Sequence, residues 1–364
     1  MPNPTSSVAR LDPYEVSRSA VLSNEEKGKH LKLDWNESTF PTSPALIEAL
    51  QQVLAEGHLE YYPDVQAVTL RERLSEYVGG DAEYIQVFNG SDAALRNILD
   101  TYIEPGDKVL VREPVYTQPY TFVHTNGGEV VNFTASSPFS KGIAEYEHHL
   151  QNSGCKVTYH PNPNNPTGVC YEASELASLL EQFPDILFIV DEAYYEFTGT
   201  TVANLVQRYD NLVVTRTFSK AFGLAGVRVG YVVAGSSVMK EVNKVRNGKS
   251  VGLLGQIAAT AALEHVDHMR EAVAEVGRAR EWTENHLREE GIPFHTTPAN
   301  FILIKVGNAP KVVERLQESQ ILVRDRSYLP QLEGCIRVTI GSREQMETFC
   351  NAFLSLDEHV LVTA

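Results

Sequence analysis

The sequence predicts an α/β protein, with a large domain built on a mostly parallel, mixed sheet flanked by helices and a smaller α+β domain after it. Three observations lead there. Between residues 84 and 233, short apolar runs of strand length alternate with helix-length amphipathic stretches, the signature of parallel strands joined by helices. The polar motifs fall just past those runs, at the strand ends where such sheets bind ligands. After Gly291-Ile292-Pro293 the order changes to strand, helix, strand, strand, helix, which marks a second unit.

Taken in order, residues 1–40 read as an irregular amino-terminal arm, with a turn at Asp12-Pro13 and an apolar patch over 31–35. Apolar spacing predicts helices over 43–56 and 65–78, separated by the turn Tyr61-Tyr62-Pro63-Asp64. Strands follow over 84–88, 108–111 and 129–132, with helices opening at Asp92 and near 117–126. Next come strands at 156–159, 186–190, 212–215 and 229–233, with a helix over 172–183. Residues 236–290 read as one or two long helices, broken where Gly248 and Gly252 stand. The final unit has strands over 301–306, 321–323 and 336–340 and helices over 310–319 and from Arg343. The expected division is therefore an arm (1–40), a large domain (41–245), linking helices (246–290) and a small domain (291–364).

Composition narrows the function. The 364 residues are 43% hydrophobic and 21% charged, ordinary for a globular chain with a full-sized core. The net charge of −16, from 31 basic and 47 acidic residues, argues against a nucleic-acid or anionic-membrane partner, because both require a positive face. It leaves room for a small anionic ligand held by a few clustered arginines. No apolar run is long enough to span a membrane, and the start lacks the basic-then-apolar pattern of a signal peptide. Cys155, Cys170, Cys335 and Cys350 form no metal or redox spacing, so reduced thiols and a cytoplasmic location are expected. His265 and His268 share a helical face but have no third ligand nearby, so no metal site is expected.

Chemistry concentrates in Thr215-Arg-Thr217-Phe-Ser219-Lys220-Ala-Phe-Gly-Leu-Ala-Gly-Val-Arg228. A strand delivers an amine into a loop of hydroxyls, with a fixed cation eight residues on. Such a lysine can form an imine with an aldehyde, while Ser219 and Arg228 hold a phosphate beside it. Asn89-Gly-Ser91-Asp92-Ala93 opens a helix and offers free N–H groups to an anion; taken alone, a plain N-cap by Ser91 or Asp92 is the stronger reading. Asn162-Pro-Asn-Asn165-Pro166-Thr-Gly168 is a rigid loop whose amides suit a phenolate oxygen. In Phe188-Ile-Val-Asp191-Glu-Ala-Tyr194 a carboxylate ends a buried strand, which is costly unless it is paired. A protonated ring nitrogen is a suitable partner, and helix capping is the plainer alternative. Tyr116, past the strand before Glu113-Pro114, is placed either to stack on a flat ring or to fill the core. Together these groups complement pyridoxal 5′-phosphate: aldehyde, phosphate, pyridine nitrogen, phenolate and ring.

On these motifs the chain resembles the fold-type I pyridoxal-phosphate enzymes of the class I/II aminotransferase family, and is most similar to histidinol-phosphate aminotransferases, over roughly residues 11–353. The resemblance implies that Lys220 is the Schiff-base lysine, Asp191 the pyridine-nitrogen partner, Tyr194 and Asn165 the phenolate ligands, and Tyr116 the stacking ring. Ser91, Asp92, Ala93, Thr217, Ser219 and Arg228 would form the phosphate cup. Tyr62 would reach the phosphate of a neighbouring subunit, which implies a homodimer with shared active sites. Tyr14, Asn36, Arg324 and Arg337 would bind the substrate. Two departures stand out: Ala93 replaces a glutamate, and Asn247-Gly248-Lys249-Ser250 replaces a Pro-aromatic-Asn-Val loop at the substrate cavity. Transamination of an amino acid or amino phosphate, with 2-oxoglutarate or glutamate as partner, is the expected activity. Elimination, cyclisation, decarboxylation or oxidation on the same cofactor is the alternative. A pyridoxal-binding DNA regulator fits poorly, because no basic helix-turn-helix precedes residue 40.

Overall fold

The computed structural model describes residues 2–11, 22–57, 59–357 and 361. In chain order its strands are β1 (Leu31–Lys32), β2 (Ile85–Phe88), β3 (Lys108–Glu113), β4 (Glu129–Thr134), β5 (Val157–Pro161), β6 (Leu187–Asp191) and β7 (Leu212–Thr217). They continue with β8 (Gly230–Ala234), β9 (Phe294–His295), β10 (Phe301–Lys305), β11 (Ile321–Leu322), β12 (Arg324–Asp325) and β13 (Cys335–Thr339).

Seven strands form the large sheet in the order β2-β8-β7-β6-β5-β3-β4. The β6–β7, β5–β6, β3–β5 and β3–β4 pairs are parallel, whereas β8 runs antiparallel to both β2 and β7. The sheet is the mixed, mostly parallel one that the alternating pattern predicts. Its central strands are buried along their whole length, which is why they read as continuous apolar runs. One face is covered by helices Pro44–Glu56, Val68–Val78, Ile143–Asn152, Ala173–Gln182 and Leu253–Glu264; the other by Ser91–Tyr102, Gln118–Thr125 and Ser236–Val245. Each buried aliphatic side chain contributes roughly 1.5–3 kcal/mol, so apolar packing sets the positions of the strand ends and the polar loops ride on it.

A second, antiparallel sheet, β12-β13-β10-β9, packs with helices Ala309–Glu318 and Arg343–Leu354 and with one stripe of the long helix Val266–Glu289. The first strand departs from the expected irregular arm. β1 pairs in parallel with β11, and Leu33 is fully buried in the core of the second sheet. Two residues of strand are too short to show a period in sequence. Residues 236–290 form three helices instead of one or two, because the chain breaks over 246–252 and again at His265. The helix Ile143–Asn152 is an addition to the elements expected from sequence; its buried residues, Tyr146 and Leu150, lie four apart. Several strands run longer than the apolar runs that announce them, since polar ends such as Thr217 and Asp191 still pair.

The ends of β6 and β7 are clamped from below. Arg216 and Glu192, 2% and 0% exposed, form an ion pair at 2.8 Å. Arg216 also donates from Nη2 to Thr201 Oγ1 and lies 3.6 Å from the ring centre of Tyr195. Glu192 accepts from the Val202 backbone and the Thr201 hydroxyl. Removing one partner of such a pair strands a buried charge, at a cost of about 3–5 kcal/mol. Arg216→Ala is therefore expected to lower the urea midpoint sharply, with partial recovery when Glu192→Gln is added. Equal midpoints for the single and the double variant would show that the charge is not the issue.

Candidate active site

At the carboxyl ends of β5, β6 and β7 lies a cavity of about 460 Å³. Strand alternation decides what faces it. Asp191, Thr217 and Tyr159 line it, while Glu192 and Arg216 turn to the opposite side and form the clamp. β7 runs on through the fully buried Phe218 to Lys220, whose Nζ lies in the cavity and donates to the Trp35 carbonyl at 2.9 Å. Burial, reinforced by the nearby Arg337 guanidinium, pulls the Lys220 amine down to about 8.

Asp191 accepts from the Tyr159 hydroxyl at 2.8 Å and the Thr215 hydroxyl at 3.1 Å. Both partners are neutral, so burial wins and pushes its carboxyl up to about 6. It caps no helix. Tyr194 is buried, and its hydroxyl oxygen receives Nδ2 donors from Asn36 at 2.9 Å and Asn165 at 3.3 Å. Two donors on one phenol oxygen direct its own proton to a further acceptor. In the loop after β5, Asn162 brackets the backbone of Tyr171 and Asn164 holds the Pro114 carbonyl and Thr167. Asn165 is the asparagine of that loop that lines the cavity.

On another wall the helix Ser91–Tyr102 points its amino terminus, capped by no side chain, at the cavity. Free first-turn N–H groups with the helix dipole behind them suit an anion. Arg228 adopts the left-handed conformation at φ 53°, donates to Ser219 Oγ at 3.3 Å and sits 3.7 Å from Asp92. Gly90 makes room for it, since a Cβ there would meet Nη2 at 2.5 Å. Gly230 similarly lets β8 approach the helix start, where a Cβ would lie 2.5 Å from Ser91 N. Tyr116 also lines the cavity, and its hydroxyl donates to Asp92 at 3.0 Å.

The remaining wall comes from the second sheet. Arg337, 3% exposed, donates to Asn165 Oδ1 at 2.7 Å and to the Asp34 carbonyl at 2.5 Å. Burial and the neighbouring Arg326 lower its guanidinium to about 9. Arg324 stands directly opposite Arg337 on the β12–β13 ladder and also lines the cavity. A surface ion pair with Asp325 does not form, because that carboxylate accepts from the Ser327 backbone and hydroxyl.

Residues 28–353 match the family model for aminotransferase class I and II. The chain belongs to that family. Among curated relatives it is 37% identical to a dihydroxyacetone phosphate transaminase of Campylobacter jejuni, over 93% of each chain. It is also 37% identical to a histidinol-phosphate aminotransferase of Ruminiclostridium cellulolyticum, over 91% of this chain and 95% of that one. The solved histidinol-phosphate aminotransferase of Sinorhizobium meliloti, in complex with pyridoxal-5′-phosphate, superposes with a TM-score of 0.87 at 23% identity, covering 98% of this chain and 99% of that one. L-threonine-O-3-phosphate decarboxylase of Porphyromonas gingivalis gives 0.78 at 26% identity over 89% and 98%.

Class I and II aminotransferases use pyridoxal 5′-phosphate, and the residues present fit it. The cavity offers an amine for the aldehyde and an uncapped helix terminus with an arginine for the phosphate. It also offers a buried acid with only neutral partners for a ring nitrogen, and a tyrosine hydroxyl with a proton to give. Ser91, Asp92, Tyr116, Asn165, Asp191, Tyr194, Thr217, Ser219, Lys220, Arg228, Arg324 and Arg337 all line this one cavity. Three other predicted residues lie outside it, Tyr62 among them as expected of a residue meant for a neighbouring subunit. Ala93 packs against the core behind the helix. Asn36 is fully buried behind Tyr194, pinned by Thr339 and Asn300, so it holds the phenol and does not line the wall. Tyr62 is 76% exposed and lies beneath Lys249, away from the cavity. Tyr14 falls outside the described residues. Sequence reasoning missed Tyr159, Trp35 and Arg326, and gave Thr215 only as one of the hydroxyls of its stretch, without its contact to Asp191. For Arg326 the period of two from Arg324 was the available signal; for the others no motif announces the contact.

In the apoprotein the Lys220 amine is expected to react with an amine-selective reagent along a pH profile centred near 8; a midpoint near that of exposed lysines, about 10.5, would refute the burial argument. Asp191 has its folded pKa raised, so its stabilising contribution is present below the unfolded value and lost as pH rises through about 6. Asp191→Asn is therefore expected to stabilise the apoprotein at pH 7.5, by roughly 1–3 kcal/mol, while activity falls. Calorimetry at pH 7.5 and pH 5 checks this, since the gain must shrink at the lower pH.

Proposed function

We propose that this protein is a pyridoxal-phosphate-dependent aminotransferase whose amine substrate carries a phosphate ester, as histidinol phosphate does, with glutamate or 2-oxoglutarate as the partner. One observation carries the reading: Arg324 and Arg337 face each other across a ladder in the same cavity as Lys220. Like charges placed opposite one another are unfavourable unless an anion comes between them. The site therefore has an amine on one wall and an anion clamp on another. The names of both 37% relatives and of the decarboxylase contain a phosphate, which supports a phosphorylated substrate.

When bound, pyridoxal 5′-phosphate supplies an electron sink conjugated to the substrate's amine. Ser91, Ser219 and Arg228 would hold its phosphate, Asp191 the proton on its ring nitrogen, and Tyr194 with Asn165 its phenolate oxygen. Lys220 Nζ moves a proton at the substrate carbon, and an amine drawn down to about 8 suits that work near neutral pH. Trp35 and Glu37 of the amino-terminal segment line the same cavity.

The same reading includes a homodimer. Among the described residues, eight of the twelve large exposed apolar side chains fall on helices Pro44–Glu56, Val68–Val78 and Leu253–Glu264 and the segments beside them; they include Leu54, Tyr61, Tyr62, Val65 and Leu254. A concentrated patch of this kind needs a cover, and a second copy that brings Tyr62 to the neighbour's cavity provides one. Light scattering should give twice the 40.4 kDa of one chain.

The holoenzyme, given histidinol phosphate and 2-oxoglutarate, or glutamate and dihydroxyacetone phosphate, should exchange amino groups, read as glutamate formed or consumed. Lys220→Ala should lower the rate by about 10³-fold or more. If unphosphorylated amines react equally well, the substrate reading fails. Release of carbon dioxide from O-phosphothreonine without glutamate formation would favour the decarboxylating alternative.

A further inference from the structure

Two guanidinium groups suffice for a carboxylate, yet the cavity wall carries three. Arg326 lies two residues beyond Arg324, and its backbone N–H continues the ladder to the Cys335 carbonyl at 2.9 Å. With a side-chain period of two, Arg324 and Arg326 share a face, and the register Arg324↔Arg337 puts Arg337 on it as well. All three line the cavity that holds Lys220. Arg326 donates from Nη1 to the hydroxyl of the exposed Tyr328 at 2.9 Å; Arg337 donates to an amide oxygen and a backbone carbonyl. These partners are neutral, so they orient the forks without cancelling the charge. The Nε atoms of Arg326 and Arg337 are both buried with no hydrogen-bond partner among the described residues. An unmade hydrogen bond on a buried cation is costly, and three such cations on one face repel one another.

A ligand with matching chemistry relieves both penalties. A carboxylate has two oxygens and one charge, and one or two arginine forks saturate it. A phosphate monoester has three terminal oxygens and close to two charges at neutral pH, enough for a third fork. We infer that Arg326 is a specificity-determining residue: with Arg324 and Arg337 it selects substrates whose anionic end is a phosphate dianion over those ending in a carboxylate. The inference rests on the reading above that the substrate's anionic end lies at this wall, and it adds to that reading the residue that tells the two anions apart. The guanidinium of Arg337, drawn down to about 9 by burial and by Arg326, agrees with a face built to receive negative charge.

The test compares the wild-type holoenzyme with Arg326→Gln and Arg326→Lys at pH 7.5. Calorimetric titration with inorganic phosphate and with acetate reads the discrimination directly, because the cofactor's own phosphate already fills the other anion site. Arg326→Gln should weaken phosphate about tenfold or more and acetate by less than about threefold, with Arg326→Lys in between. With histidinol phosphate the loss should appear in KM, leaving kcat within about threefold. Equal losses for phosphate and acetate, or a fall in kcat at constant KM, would overturn the inference. Phosphate preference that depends on Arg326 in a protein that turns over no phosphorylated amine would sink the substrate reading and leave Arg326's role standing.

Discussion

The site depends on the buried ion pair between Arg216 and Glu192. Each of these residues is one position away from a residue that faces the cavity: Glu192 follows Asp191, and Arg216 lies between Thr215 and Thr217. Because side chains alternate along a strand, the charges on the underside of the sheet and the polar groups on its upper side are locked in register. Fixing the lower pair fixes where the acid and the amine-bearing loop emerge. The arrangement concentrates the expense of buried charge in a satisfied network below, while Asp191 above keeps only neutral partners and stays available.

The cavity uses burial to tune three groups in different directions. Lys220 is drawn down, Asp191 is drawn up, and Arg337 is drawn down to about 9. Each shift has the same dominant cause, loss of water around a charged form. Each also lessens when a group of the right charge enters, so the cavity is electrostatically matched to a cofactor and an anionic substrate. The glycines serve the same end sterically. Gly90 and Gly230 let an arginine and a helix terminus approach backbone that any larger residue would displace.

Much of this was legible in the sequence because parallel strands are buried on both faces and read as plain apolar runs. The motifs at their ends, from Asn162 to Gly168 and from Thr215 to Arg228, are contiguous and rich in unusual residue types, so their chemistry shows locally. What stayed hidden depends on pairing between distant segments. Tyr159 is an apolar-looking member of a strand until β6 sets it beside Asp191. Asn36 sits in an arm that shows no periodicity, and its task, holding the Tyr194 hydroxyl, follows only from a fold that brings residues 158 positions apart together. Arg326 was passed over because β12 is two residues long and ends before it, so a single step of alternation from Arg324 was its only signal.

The short strand β1 ties these levels together. By its hydrogen bonds the segment from Leu31 to Leu33 belongs to the second sheet's side of the molecule, yet two residues later the Trp35 carbonyl accepts a hydrogen bond from the Lys220 amine, and Arg337 grips the Asp34 carbonyl between them. The amino-terminal segment therefore works as a tether: the same few peptide units hold an arginine of the second sheet and accept from the Lys220 amine. The arginine wall and the amine wall are thus held by adjacent peptide units of a single stretch of backbone.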